Sequence, residues 1–126
     1  MTITGEWTPA DTDCSQKMDW VTYKATDTYQ QIGWGSRYDG TLPGSTYVGS
    51  CEGKSGPMSG FSAEYKDSLR KLTEVQMQAF ERGSGWFMWA WKMENSDDWS
   101  YQAGLEGGWI PRTLGASGRK HGDQCA

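Results

Sequence analysis

Gly85-Trp86-Phe87-Met88-Trp89-Ala90-Trp91-Lys92 is an apolar run of strand length, and its reading decides the fold. β-prone aromatics dominate it, and no polar face alternates with them, which predicts a buried central strand. The clearest helical pattern in the chain lies just before it. Phe61, Tyr65, Leu69, Leu72, Val75 or Gln76, Ala79 and Phe80 fall on one face of a 3.6-residue period, predicting a helix over 62–82. Ser62 is its expected N-cap, and Glu64 and Asp67 suit the positive end of the helix dipole. Gly83 and Gly85 end it, with Arg82 expected in the last turn. The charged face, Lys66, Arg70, Lys71 and Glu74, reads as a solvated surface.

Further out, Thr2-Ile3-Thr4 is β-prone and predicts a short strand that ends at Glu6-Trp7, since Pro9 stops any pairing. Strand, long helical connection and buried strand form a βαβ pattern, so the two strands are expected to be parallel and the class α/β. Residues 8–60 are turn-rich. Asp11 to Cys14 could open a helical turn, and Met18, Val21 and Tyr29 are apolar points in a stretch of mixed polarity. Eight glycines from Gly33 to Gly60 then punctuate a long loop. A loop of that length in a compact domain is usually functional or stapled. Cys14 and Cys51 bracket most of it, and a disulfide there would close a loop of 37 residues. After Lys92 the chain turns polar, and loops with one short helix are expected before a tail over 112–126.

Composition bounds the function. With 126 residues the chain suffices for one core. A whole (β/α)₈ barrel typically needs about 250 residues. Mean hydropathy is −0.76. The hydrophobic content sits in eight Trp, six Tyr and three Phe, which suits a neutral polymer such as carbohydrate, with about half of the Trp expected in the core. A net charge of −4 argues against a nucleic-acid partner, and Arg119-Lys120 reads as a solvated loop. No apolar run is long enough to span a membrane, and Met1 to Glu6 carries no secretory leader. Cys14, Cys51 and Cys125 lack metal-ligand spacing and His121 is remote from any pair of them, so neither a metal nor a cofactor is implied. The odd cysteine count fits a partner that lies elsewhere.

Glu6 at the end of a strand means little alone. Its weight comes from Trp86, Trp89 and Trp91 on the next strand. In parallel barrels the C-terminal ends of the strands gather on one face, where a carboxylate from one can meet an indole platform from the next. That pairing is the chemistry of a sugar site: the carboxylate attacks or stabilises an oxocarbenium-like centre while the indole stacks on the pyranose ring.

Gly5-Glu6-Trp7-Thr8, Thr12-Asp13-Cys14, Gly35-Ser36-Arg37-Tyr38-Asp39-Gly40 and Tyr47-Val48-Gly49-Ser50-Cys51 together resemble the fungal exo-β-1,3-glucanases of glycoside hydrolase family 5. Gly85 to Asn95, Asp98-Trp99-Ser100-Tyr101-Gln102 and Gln124-Cys125 extend the likeness over nearly the whole chain. The resemblance implies that residues 1–126 are the C-terminal portion of a (β/α)₈ catalytic domain, holding its seventh and eighth strands with their connecting helix and loops. It implies release of glucose from non-reducing ends of β-1,3-glucan by a retaining mechanism, and a secreted or cell-wall enzyme. By the same resemblance Glu6 is the nucleophile, Trp89 lines the subsite of the terminal glucose, Cys14 and Cys51 form a disulfide, and Cys125 lacks its upstream partner. Arg37 and Tyr38 are the further substrate-binding candidates, with Arg37 alternatively pairing with an acidic neighbour.

The departures are as informative. The family's acid/base Glu stands in an Asn-Glu-Pro context, and the single Asn here, Asn95, is followed by Ser96. Glu94 is the local candidate acid, with an exposed loop carboxylate as its plainer reading, and His121 reads as solvated. Two strands cannot close a barrel, so both are expected to keep open edges. The isolated chain is expected to have low stability and little activity, to self-associate, or to dock onto the missing N-terminal part. A silent glucan-binding module using Trp89, Trp99 and Trp109, or a non-functional remnant, is the alternative.

Overall fold

The Ser62 hydroxyl accepts a hydrogen bond from the Tyr65 N–H, and helix α1 runs from there as Ala63–Phe80. The computed structural model describes residues 1–15, 22–25, 28–31 and 35–113. Met18, Val21 and the tail with Arg119-Lys120, His121 and Cys125 lie outside the described residues. Ser62→Ala is expected to lower stability by about 1 kcal/mol, because it leaves a helix N–H without its partner. A shift in the urea unfolding midpoint at unchanged slope checks this.

The buried face of α1 differs from the sequence expectation. Tyr65, Leu69, Thr73, Glu74 and Met77 are buried, whereas Leu72, Val75 and Gln76 are only half-buried and Ala79 is exposed. Burial follows the ridge of residues four apart, 65, 69, 73 and 77, which helices commonly lay against their neighbours. Glu74 therefore turns inward rather than to solvent, and Arg70 Nε meets its Oε1 at 2.8 Å. The buried Thr73 hydroxyl is satisfied by donating to the Leu69 carbonyl at 2.7 Å. The helix stops at Phe80, so Arg82 falls beyond its last turn.

Strand β1 is Thr4–Trp7, β2 is Thr22–Ala25 and β3 is Thr28–Gln31, and β4, after the helix, is Trp86–Met88. β1 and β4 pair in parallel, with Thr4 opposite Trp86 and Trp7 opposite Met88. This is the strand–helix–strand order read from the sequence. β2 and β3 form an antiparallel pair, Thr22 opposite Gln31 and Ala25 opposite Thr28. The sequence reading assigns no strand there, although Thr22-Tyr23 and Thr28-Tyr29 are β-prone pairs. Asp11 to Cys14 forms bends rather than a helical turn.

Period-two alternation sorts the parallel pair into two faces. Trp7, 6% exposed, packs edge-on against Trp86 at 5.1 Å and tilted against Phe80 at 5.7 Å. Met88 packs on the core formed by Phe61, Tyr65, Leu69, Ala103, Trp109 and Ile110. The opposite face is open, and there Phe87 is 67% exposed. The 85–92 run is therefore not the buried central strand its composition predicts. A parallel strand is buried on both faces only when layers cover both, and here the helices cover one.

A 3₁₀ turn, Asp97–Trp99, leads into helix α2, Tyr101–Gly107. Gly108 closes α2 at φ +86, with its N–H bonded to the Gly104 carbonyl. A Cβ on Gly107 would lie 2.0 Å from the Trp109 ring, and one on Gly104 would lie 2.5 Å from Ile110. Bare backbone at these positions lets Trp109 and Ile110 fold back onto the core, where Trp109 meets Phe61, just ahead of α1, at 5.8 Å.

Candidate functional site

Because Trp7 points into the core, its neighbour Glu6 stands on the open face of the sheet and is exposed. Trp89 follows β4 directly, and its N–H donates to the Trp7 carbonyl at 2.8 Å. The strands are parallel, so Glu6 and Trp89 lie at the same, C-terminal end of the pair. Trp89 is 51% exposed. A carboxylate and an indole thus stand open to solvent at one end of the sheet.

Beyond Trp89 the chain is held by backbone bonds rather than by a sheet. The Trp89–Ala90 peptide is cis. Ala90 N–H donates to the Trp99 carbonyl at 3.0 Å, Tyr101 N–H to the Ala90 carbonyl at 2.9 Å, and Gln102 N–H to the Trp91 carbonyl at 3.0 Å. Trp91, 64% exposed, stacks on Tyr101 at 5.6 Å with 22° between the rings. Phe87, Trp89 and Trp91 therefore make an exposed aromatic band whose end, Ala90 and Trp91, is fixed by the 97–102 segment. Trp109 is 0% exposed and Trp99 is half-buried, so the aromatics open to a ligand are not the set Trp89, Trp99 and Trp109 expected for a binding module.

Cys14 and Cys51 form a disulfide, with Cα atoms 5.3 Å apart, as the family resemblance implied. Next to it, the Asp13 carboxylate gathers the other end of the long loop. It accepts the Ser36 hydroxyl, the Arg37 N–H at 2.8 Å and the Tyr38 N–H at 3.1 Å. Partial burial alone would push this carboxyl up, but those three donors outweigh it and hold it below the usual aspartate value. Arg37 is exposed, and its acidic neighbour is reached through its backbone N–H. Tyr38 accepts the Val48 and Gly49 N–H groups on its carbonyl at 2.9 and 3.0 Å. A Cβ on Gly49 would lie 2.7 Å from the Tyr38 hydroxyl. Among the described residues no hydrogen bond or ion pair joins Arg37 or Tyr38 to Glu6 or Trp89.

A polar centre that sequence reasoning missed lies against the segment that follows Cys51. Asp98 is 0% exposed, and its Oδ1 accepts the Ser55 hydroxyl at 3.1 Å. Its Oδ2 has no hydrogen-bond partner among the described residues. Burial pushes this carboxyl up to about 7, with Asp11 and Asp97 adding to the rise and the Ser55 hydroxyl opposing it. Burial likewise raises the Tyr65 phenol, whose hydroxyl donates to the Lys54 carbonyl at 2.7 Å. A cavity of about 230 Å³ lies alongside, lined by Cys14, Cys51, Glu52, Ser55, Gly56 and Asn95. Glu94, the local acid candidate, is exposed beyond β4. The Asp97-Asp98 pair carries no spacing signal that separates a buried acid from a solvated one, which is why the sequence alone did not expose it.

No protein-family model matches the chain. Searches of curated proteins give consistent relatives. The chain is 39% identical to a glucan 1,3-beta-glucosidase of Blumeria graminis over 127 residues, covering 98% of this chain and 27% of that protein. It is 37% identical to a glucan 1,3-beta-glucosidase of Candida oleophila over 123 residues, covering 98% of this chain and 26% of that protein. It is 37% identical to a probable glucan 1,3-beta-glucosidase D of Aspergillus clavatus over 133 residues, covering 97% of this chain and 15% of that protein. The likeness to glucan 1,3-beta-glucosidases read from the sequence thus holds along nearly the whole chain, which spans 15–27% of the length of these relatives.

Proposed function

We propose, from the premise that glucan 1,3-beta-glucosidases are homologues of this chain along nearly its whole length, that it is the C-terminal part of a (β/α)₈ glycoside hydrolase acting on β-1,3-glucan. The observation that carries the reading is the placement of Glu6 and Trp89 at the same end of a parallel strand pair, both exposed. In the proposed reaction Glu6 attacks the anomeric carbon of the terminal glucose as the glycosidic bond breaks and the acid/base Glu protonates the departing glucan. Water, deprotonated by that same Glu, then opens the glycosyl-enzyme, releasing glucose and the Glu6 carboxylate. Trp89 stacks on the sugar held for that attack, and Arg37 and Tyr38 extend the site along the long loop. A retaining enzyme places its two carboxyl groups about 5–5.5 Å apart. The acid/base Glu is proposed to come from the rest of the barrel, since Glu94 lies beyond β4 on a different segment.

The same missing part is the partner we propose for the open sheet. β1 pairs only with β4 among the described residues, and Phe87 and Ile3 are exposed at 67% and 47%. Parallel strands with one bare face and free edges call for further strands. The Cys14–Cys51 disulfide supports an oxidising compartment, hence secretion.

Isothermal titration of the chain with a β-1,3-linked glucose pentasaccharide tests the site. Measurable binding is expected, and Trp89→Ala should weaken it by about tenfold, the equivalent of roughly 1.4 kcal/mol of lost ring contact. Binding that Trp89→Ala leaves intact would remove the platform from the reading. A catalytically silent glucan-binding module is the second reading, favoured by the exposed aromatic band Phe87, Trp89 and Trp91. It predicts the same affinity with no role for Glu6.

A further inference from the structure

Asp98 occupies the joint between two parts of the molecule. On one side is the segment that follows Cys51 of the disulfide. That segment meets the 3₁₀ turn Asp97–Trp99 through three bonds: Ser55 Oγ to Asp98 Oδ1 at 3.1 Å, Met58 N–H to Asp97 Oδ2 at 2.8 Å, and Asp97 N–H to the Gly56 carbonyl at 3.0 Å. A further tie, Ser15 Oγ to Ser96 Oγ at 2.6 Å, fastens the residue after Cys14 to the residue before Asp97. On the other side is the aromatic band. The residue after Asp98 accepts the Ala90 N–H on its carbonyl, and the Ser100 hydroxyl reaches the Trp91 carbonyl at 3.4 Å.

A carboxyl that is fully buried, with one oxygen bonded and the other unpartnered, is stable there only in its neutral form. The neutral acid carries a proton of its own, whereas the carboxylate leaves a charge buried without a cation. Among the described residues, the groups that face it do not supply one. Asp97 stands beside it on the same turn, Asp11 faces it from the segment after β1, and Tyr65 faces it from α1. The nearby cation, Lys54, sits over the Tyr65 ring with Nζ 4.5 Å from its centroid. We infer that Asp98 is a positioning residue for the glucan site: as a neutral acid it locks the segment after Cys51 against the turn that holds Ala90, between Trp89 and Trp91, and its ionisation loosens that platform. This rests on the reading of Trp89 as a sugar platform.

The sign follows from linkage. Unfolded, the Asp98 carboxyl ionises near 3.8, and folded it keeps its proton up to about 7. Between those values the folded state binds more protons. Its contribution is therefore present at low pH, declines as pH rises towards 7, and is gone above it.

The test follows near-UV circular dichroism, tryptophan fluorescence and the urea midpoint of the chain from pH 4 to 9, and titrates the β-1,3-linked pentasaccharide at pH 5.5 and 8.5. Wild type is expected to show an aromatic transition near pH 7 and to bind roughly tenfold more tightly at the lower pH. Asp98→Asn should abolish both the transition and the difference in affinity. Ser55→Ala, which removes the one hydroxyl favouring the carboxylate, should move the transition to higher pH, and it keeps the proposal testable if Asp98→Asn does not fold. A transition that survives in Asp98→Asn, or does not move in Ser55→Ala, overturns the inference. So does an affinity that fails to follow the transition. If no pentasaccharide binds at any pH, the glucan reading falls and the positioning role with it. The spectroscopic transition, present in wild type and lost in Asp98→Asn, separates that failure from failure of the buried acid itself.

Discussion

Glu6→Gln is expected to abolish glucose release from β-1,3-glucan when the chain is placed in a whole barrel. The suitable setting is a chimera in which residues 1–126 replace the matching segment of the Blumeria graminis relative, of which the chain covers 27%. On the proposed reading, the rest of that relative would supply the strands and the second carboxyl that two-step hydrolysis needs. The glutamine keeps the size of Glu6 and its exposed place on β1 but cannot act as the nucleophile, so the loss should be on the order of 10³-fold or more. The measurement is glucose released per enzyme, with circular dichroism to show that the fold is unchanged. The chimera with Glu6 intact should be active, and its products should retain the anomeric configuration. If Glu6→Gln keeps more than about a tenth of that activity, Glu6 is not the nucleophile.

Loss of the Cys14–Cys51 disulfide should have the largest effect on stability. The bond spans 37 residues and, among the described residues, shares the anchoring of the loop with the Asp13 carboxylate and its three donors from Ser36, Arg37 and Tyr38. Opening a loop of that size is expected to cost about 3–4 kcal/mol in the chain-entropy account. That is a large share of the roughly 5–15 kcal/mol that small domains possess. Urea unfolding of a Cys14→Ser, Cys51→Ser double variant measures it. A loss below about 1 kcal/mol would mean that the Asp13 turn closes the loop unaided. The same variant should weaken the tie between Ser15 and Ser96, because Cys14 places Ser15 against the 96–100 segment.

The helix was legible because its signals are local. Ser62, the apolar period and the glycines after Phe80 act within a few turns, and α1 forms as Ala63–Phe80. The parallel pairing of β1 with β4 was legible for a related reason: a strand, a helical crossover and a strand leave few arrangements that pack. The β2–β3 pair was not, since short strands of mixed polarity lack the alternation that separates strand from loop. Within the candidate site, Glu6 and Trp89 could be named from residue type and order. The Asp13 turn could not be, because its partners lie 23 to 25 residues away in sequence.

Residue order along the chain therefore determined the α/β class, the helix and its cap, and the resemblance that names Glu6, Trp89 and the two cysteines. Tertiary structure decided which side of each element faces water. It turned Phe87, Trp89 and Trp91 outward although their run is apolar, turned Glu74 inward although its neighbours are charged, and buried Asp98 against the segment after Cys51. The physical reason is that exposure depends on which layers cover an element, and a covering layer is contributed by residues remote in sequence. Composition states what a segment tolerates, while the neighbours it meets fix what it buries.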